Sequence, residues 1–149
     1  RQYTQGESCM SFTGNFSCNV FKTGLMNGTF NFTSGTFYIA LYTNDATLNA
    51  STTAYTATGE VVASGYSAGG LALTIAQVPT VGTGSTAYIS FDNAAWTSAL
   101  TARGALIYQS GGGNPAVCVL DFGADKTSTA TFTVQFPSNT NTSAIIRIA

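Results

Sequence analysis

Two apolar runs, RGALIYQ and AVCVLDF, flank the six residues SGGGNP, and residues 103–122 therefore read as one antiparallel β-hairpin. Gly111, Gly112, Gly113 and Asn114 supply a tip that tolerates positive backbone φ angles. Pro115 then opens the returning strand, where a missing N–H costs little. One hairpin needs further strands to bury its apolar faces.

The rest of the sequence supplies them. TFTVQF, residues 131–136, alternates: Phe132, Val134 and Phe136 on one face, Thr131, Thr133 and Gln135 on the other. TFYIALYT, residues 36–43, is apolar on both faces, with Phe37, Ile39 and Leu41 opposite Tyr38, Ala40 and Tyr42. A strand of that kind has to be covered twice, once by its own core and once by another layer or subunit. Further strands are expected over residues 60–64, 71–78, 87–91, 103–109, 116–122 and 144–149. SGYSAGG, GTGS and FPSNTNTS separate them as turns or loops.

In SCNVFKTGLMNG, Val20, Phe21, Leu25 and Met26 recur near helical spacing, with Ser17 as the expected cap and Gly28 as the stop. Gly24 weakens that helix. Residues 94–102 are expected to form a helical turn around Trp96. The whole is a mainly β fold: a single-domain antiparallel β-sandwich or barrel-like fold with one short N-terminal helix. Residues 1–16 read as an N-terminal extension or arm and residues 17–149 as the β-rich domain.

Charged residues make up only 7% of the 149, against roughly 25% in an ordinary soluble domain. Thr, Ser, Asn and Gly supply the missing polarity, a surface better suited to contact with other subunits than to life as a lone monomer. Five cations scattered along a chain of net charge −1 give no footprint for nucleic acid. The longest apolar runs are strand-length, so no membrane span is expected, and no start resembles a signal peptide.

Of the three cysteines, Cys118 lies in the apolar run AVCVL as a small buried hydrophobe. Cys9 and Cys18 are free to pair in an oxidising compartment, but their spacing matches no zinc or redox signature. A reduced, cytoplasmic site of synthesis is the reading that fits.

The most enzyme-like phrase is LDFGADKT, residues 120–127. A kinase aspartate in that context needs a glycine-rich phosphate loop, a strand lysine and a catalytic loop with histidine. The chain has no histidine. Leu120 and Phe122 instead share one face of a strand ending at Gly123, with Asp125 and Lys126 taking the turn. The absence of histidine also removes Ser-His-Asp and Cys-His activation, and SGGGN lacks the Lys-Ser or Lys-Thr of a phosphate loop. Two of Glu7, Asp45, Glu60, Asp92, Asp121 and Asp125 meeting as a glycosidase-like pair is the remaining catalytic possibility, and Asp92, Asp121 and Asp125 are the candidate calcium ligands. Neither has supporting spacing, so no catalytic residue, metal or cofactor is expected. Exposed Tyr55, Tyr66 or Trp96 would suit sugar rings, although most aromatics belong in a core or interface. NFS, NGT, NFT, NAS and NTS fit the glycosylation pattern, as an Asn-, Ser- and Thr-rich chain does by accident.

From Met10 onward the chain resembles a family of small structural proteins encoded by tailed bacteriophages, common in marine and freshwater phage genomes. The resemblance lies in SCNVFKTGLMNGTFNF, in TFYIALYTNDATLNASTTAYTATGEVVASGYSAGG, and in the block from TARGALIYQ to IIRIA, which together cover most of residues 18–149. It implies a virion component that is not an enzyme. RQYTQGESC departs from the pattern: Met10 looks like a natural start, and an upstream start, processing or a cloning remnant would each account for Arg1.

Three functions follow as expectations. The first is a capsid decoration (cement) protein, a homotrimer clamping the major capsid protein or other virion proteins. Its contact surface would be the arm with Arg1 and Tyr3, together with Phe12, Phe16, Phe21, Phe30 and Phe32. The second is a tail-fibre or head-spike module that binds host glycans through loops 64–70 and 111–114. The third is a filament subunit whose arm completes a neighbour's sheet.

Overall fold

Eleven elements follow one another in the computed structural model, which describes residues 12–149. They are β1 (Phe16–Ser17), α1 (Asn19–Asn27), β2 (Phe37–Tyr42), β3 (Leu71–Ala72), β4 (Ile75–Val81) and β5 (Ala87–Phe91), then β6 (Ala94–Trp96), β7 (Thr101–Gln109), β8 (Ala116–Thr127), β9 (Phe132–Val134) and β10 (Ile146–Ile148). The fold is mainly β, 40% strand and 7% helix, with antiparallel sheets and one short helix arranged like a sandwich. A five-stranded sheet runs in the order β1-β8-β7-β2-β3, a three-stranded sheet in the order β10-β5-β4, and β6 pairs with β9.

The expected hairpin is the spine of the large sheet. β7 and β8 pair from Ala105–Leu120 to Tyr108–Ala116, and all four tip residues have positive φ. Beyond it the expected strand end at Gly123 is corrected. Gly104 faces Asp121 while Ala102 faces Lys126, so residues 122–125 bulge out opposite Arg103 and the ladder then resumes to Thr127. Gly123, at φ 82°, gives the bulge its bend, and Asp125 and Lys126 remain in the strand.

β2 is buried on both faces, and the second cover belongs to the same chain. Phe37 meets Phe32 at 4.4 Å and Phe91 at 6.0 Å, joining the large sheet to the helix–loop segment and to the small sheet. Around the other side wraps the loop of residues 43–70. Val61 N donates to Leu41 O, and Leu41 N donates to the Tyr66 hydroxyl.

Four local expectations are corrected. Residues 60–64 make a single bridge, Glu60 to Tyr42, and no strand. The expected strand over 71–78 splits, because β3 serves β2 in the large sheet while β4 serves β5 in the small one. Residues 94–102 hold no helical turn: Ala94, Trp96, Ser98 and Leu100 are buried and their alternate neighbours exposed, a period of two that pairs β6 with β9. The helix begins at Cys18 as cap, without the side-chain hydrogen bond expected from Ser17. It stops at Gly28 as expected. Gly24 is a packing requirement, since a Cβ there would run into the Phe30 ring.

Residues 12–17 are part of the folded body. Phe16 and Ser17 pair with Val119 and Cys118, and Phe12 is buried, so the extension expected over residues 1–16 joins the fold from Phe12 onward. Cys18 and Cys118 are free, buried thiols; Cys9 lies outside the described residues. Burial pushes the Cys18 thiol up to about 11 and that of Cys118 up to about 12. At pH 8 only about a thousandth of Cys18 is then thiolate. Iodoacetamide should leave Cys18, which has no exposure, unmodified in the native protein and label it after denaturation, read by peptide mass mapping. Labelling at the rate of an exposed thiol would contradict this burial.

Candidate functional site

Glu60 is the only charged residue between Asp45 and Asp92, and it is buried. Its carboxyl group is held from three directions. The Tyr66 hydroxyl donates to Oε1 at 2.7 Å, Gly69 N donates to the same oxygen at 2.7 Å, and the Tyr55 hydroxyl donates to Oε2 at 2.5 Å. Tyr108, near the end of β7, donates to Gly69 O at 2.7 Å, and Tyr42, at the end of β2, donates to Thr56 O at 2.7 Å. The loop is thereby stitched to both central strands. Tyr55 stacks on Tyr108 at 4.9 Å and Tyr108 on Tyr38 at 5.8 Å, extending the contact as an aromatic ladder.

Burial raises the pKa of Tyr42, Tyr55, Tyr66 and Tyr108, and the Glu60 charge adds to the effect. Tyr108 is pushed up to about 12. These phenols are donors at neutral pH. With both oxygens of Glu60 engaged, the arrangement works as a lock on the loop, and a substrate proton would have to displace one of three hydrogen bonds to reach it.

A second node ties down the start of the described chain. Phe12 packs into the space left by Gly104, where a Cβ would collide with its ring, and the Arg103 guanidinium lies 5.6 Å from the ring centre. Arg103 also pairs with Asp121, the aspartate of LDFGADKT. Burial works to raise the Asp121 pKa, but hydrogen bonds from Gly123 N and Arg103, with the Arg103 charge, outweigh it and hold the carboxyl below its ordinary range. Asp121 N donates to Asn15 Oδ1 at 2.7 Å. The phrase that looks like a metal site is a clasp between β7, β8 and the entering chain. Asp92, Asp121 and Asp125 do not gather as calcium ligands: among the described residues no three His, Cys, Asp or Glu side chains converge at metal-binding distance.

Comparison with family models, curated proteins and solved structures finds no significant match.

Leu25, Met26, Val78, Val81 and Ile148 are exposed, and they sit on the end of α1, on β4 and on β10, the elements around the small sheet. On one face of that sheet Ile146 opposes Ile89, while Ile148 and Val81 both oppose Ala87. Ile89 is buried, and Val81 and Ile148 are exposed, so the apolar inner face runs out of the core into the open.

Phe12, Phe21, Phe30 and Phe32, expected in the contact surface, are buried, with Phe21 lining a surface groove and Phe30 and Phe32 an apolar hollow beside it. All four are core side chains of this chain, and Phe16 is half-buried against the same core. Arg1 and Tyr3 lie outside the described residues. Trp96 is buried and offers no sugar-stacking face, while Tyr55 and Tyr66 are half-buried with their hydroxyls on Glu60, and Tyr55 stacks on Tyr108. Sequence reading placed Glu60 only among the six acids of a possible catalytic pair and missed its part in holding the loop, although a lone acid in a chargeless stretch, with Tyr55 and Tyr66 on either side, was a usable signal. It also missed the open sheet face, because alternation reports which residues share a face and not whether another layer covers it.

Proposed function

We propose that the protein is a structural component of a bacteriophage virion, a capsid decoration protein that stabilises the shell through contacts with copies of itself and with the major capsid protein. The observation that carries this reading is the exposed apolar face around the small sheet, on a chain in which only 7% of residues are charged. Exposed apolar area of this kind favours burial against a neighbour, and a surface of Thr, Ser and Asn can form an interface without desolvating charges. The resemblance of residues 18–149 to small phage structural proteins points the same way. The homotrimer belongs to this proposal.

Mass spectrometry of purified particles, followed by an electron-microscopy map, tests it. Density for this chain at capsomer junctions is the expected result. Its absence from particles, or density confined to the tail, overturns the decoration role. The filament reading draws on one observation of its own, the free outer edge of β10. The glycan-binding reading has lost Trp96 to the core and the hydroxyls of Tyr55 and Tyr66 to Glu60, and is the weaker alternative.

A further inference from the structure

β10 pairs on one side only. Ile146, Arg147 and Ile148 oppose Ile89, Tyr88 and Ala87 of β5, and β10 ends the sheet order. The opposite edge of the same sheet is guarded, because β4 carries Pro79, which has no N–H to offer, and two register shifts that break its line. β10 carries neither device. Its backbone groups on the outer side are a template for another strand.

A groove of about 550 Å³ runs along that edge, with Ser17, Phe21, Lys22 and Cys118 among the residues facing β10 across it. It shares Leu25, Ile146 and Ile148 with an apolar hollow of about 280 Å³ whose lining includes Phe30, Phe32 and Pro79. Two cations, Lys22 and Arg147, line the groove and are exposed, and no acidic side chain lines it. The single ion pair among the described residues, Arg103–Asp121, uses neither.

We propose that this groove binds an extended acidic segment of a neighbouring virion protein, added as a strand to β10. Alternate aliphatic side chains of the segment enter the apolar hollow, and its carboxylates meet Lys22 and Arg147. Free edge, apolar floor and unopposed positive charge together select such a partner. The β10 strand of a second copy is a poor occupant. Antiparallel pairing centred on Arg147 sets that arginine against its own counterpart, a like-charge pair across the strands. The partner's being a virion protein rests on the function proposed above; the chemistry of the groove does not.

The test uses the full chain and two capped seven-residue peptides, one alternating valine with glutamate and one alternating valine with lysine. By fluorescence anisotropy at low salt the glutamate peptide should bind at least about tenfold more tightly than the lysine peptide. Amide resonances of β10 and α1 should be the ones that shift. The double variant Lys22→Glu and Arg147→Glu, two exposed positions, should reverse the preference. Absent binding, binding indifferent to peptide charge, or shifts elsewhere would each overturn the proposal. So would self-association that the double variant abolishes, since a second copy would then fill the groove. Particle composition is a separate readout: peptide binding with the chain missing from particles sinks the virion reading alone, and the converse sinks the groove alone.

Discussion

Glu60→Ala is expected to destabilise the protein by about 3–5 kcal/mol, at the upper end of what single substitutions do. The alanine leaves the Tyr55 and Tyr66 hydroxyls and Gly69 N without their acceptor in a buried place. Each orphaned donor costs about 1–3 kcal/mol, and because the three share one group their costs do not simply add. In a chain of this size the midpoint of thermal unfolding should fall by roughly 10 °C. Glu60→Gln keeps the volume and one carbonyl acceptor, so its loss should be about half as large. Tyr55→Phe removes one donor together with its need for an acceptor and should cost only about 1 kcal/mol. Denaturant titration of the three variants checks the order. Were Glu60→Ala to lose less than about 1 kcal/mol, the node would not be what holds the loop on β2 and β7.

The second large effect is expected at Gly70, and it has a built-in control. Gly70 has φ 82°, and a Cβ there would run into the Ile39 carbonyl group and lie 2.7 Å from Ala40 Cα. Those atoms are the backbone of β2, pinned between β3 and β7, so the neighbour cannot give. Gly70→Ala adds the cost of a side chain at positive φ to that of overpacking, about 3–5 kcal/mol together. Gly112, at the hairpin tip, has φ 60° and nothing within 4 Å of its would-be Cβ. Gly112→Ala should therefore cost only about 1–2 kcal/mol, the conformational part alone. Equal losses at the two positions would mean that close approach to β2 contributes nothing. Unfolding midpoints measured side by side decide it.

Much of the strand pattern was legible. The hairpin could be read because its signal is local: two apolar runs, four residues suited to positive φ and a proline placed where no N–H is needed. β2 declared itself by being apolar on both faces, and β5 matched its expected bounds. What failed was nonlocal. The alanine-rich stretch around Trp96 reads equally as turn or strand until Phe132 is known to lie opposite. Gly123 looks like a terminus because a glycine that ends a strand and one that bends it obey the same backbone rule. The partner covering the outer face of β2 was legible as a need. Its identity as residues 43–70 was not, because Glu60 gains its meaning from tyrosines that only the folded loop brings to it. The phenylalanines near the N-terminus show the same limit: an apolar ring in sequence does not say whose core it will fill.

The order β1-β8-β7-β2 has a consequence for how the chain is made. β2 leaves the ribosome early, yet its principal partner β7 begins only at Thr101, and β1 waits longer still for Val119 and Cys118 of β8. At ordinary rates of translation the interval between β2 and β7 lasts on the order of several seconds. Throughout it a strand apolar on both faces is exposed on the nascent chain, with α1 and its phenylalanines equally unburied. Such a segment invites chaperone binding and, at high expression, co-aggregation of unfinished chains. The yield of the protein at high expression would then be limited less by the stability of its finished fold than by the wait for its second half.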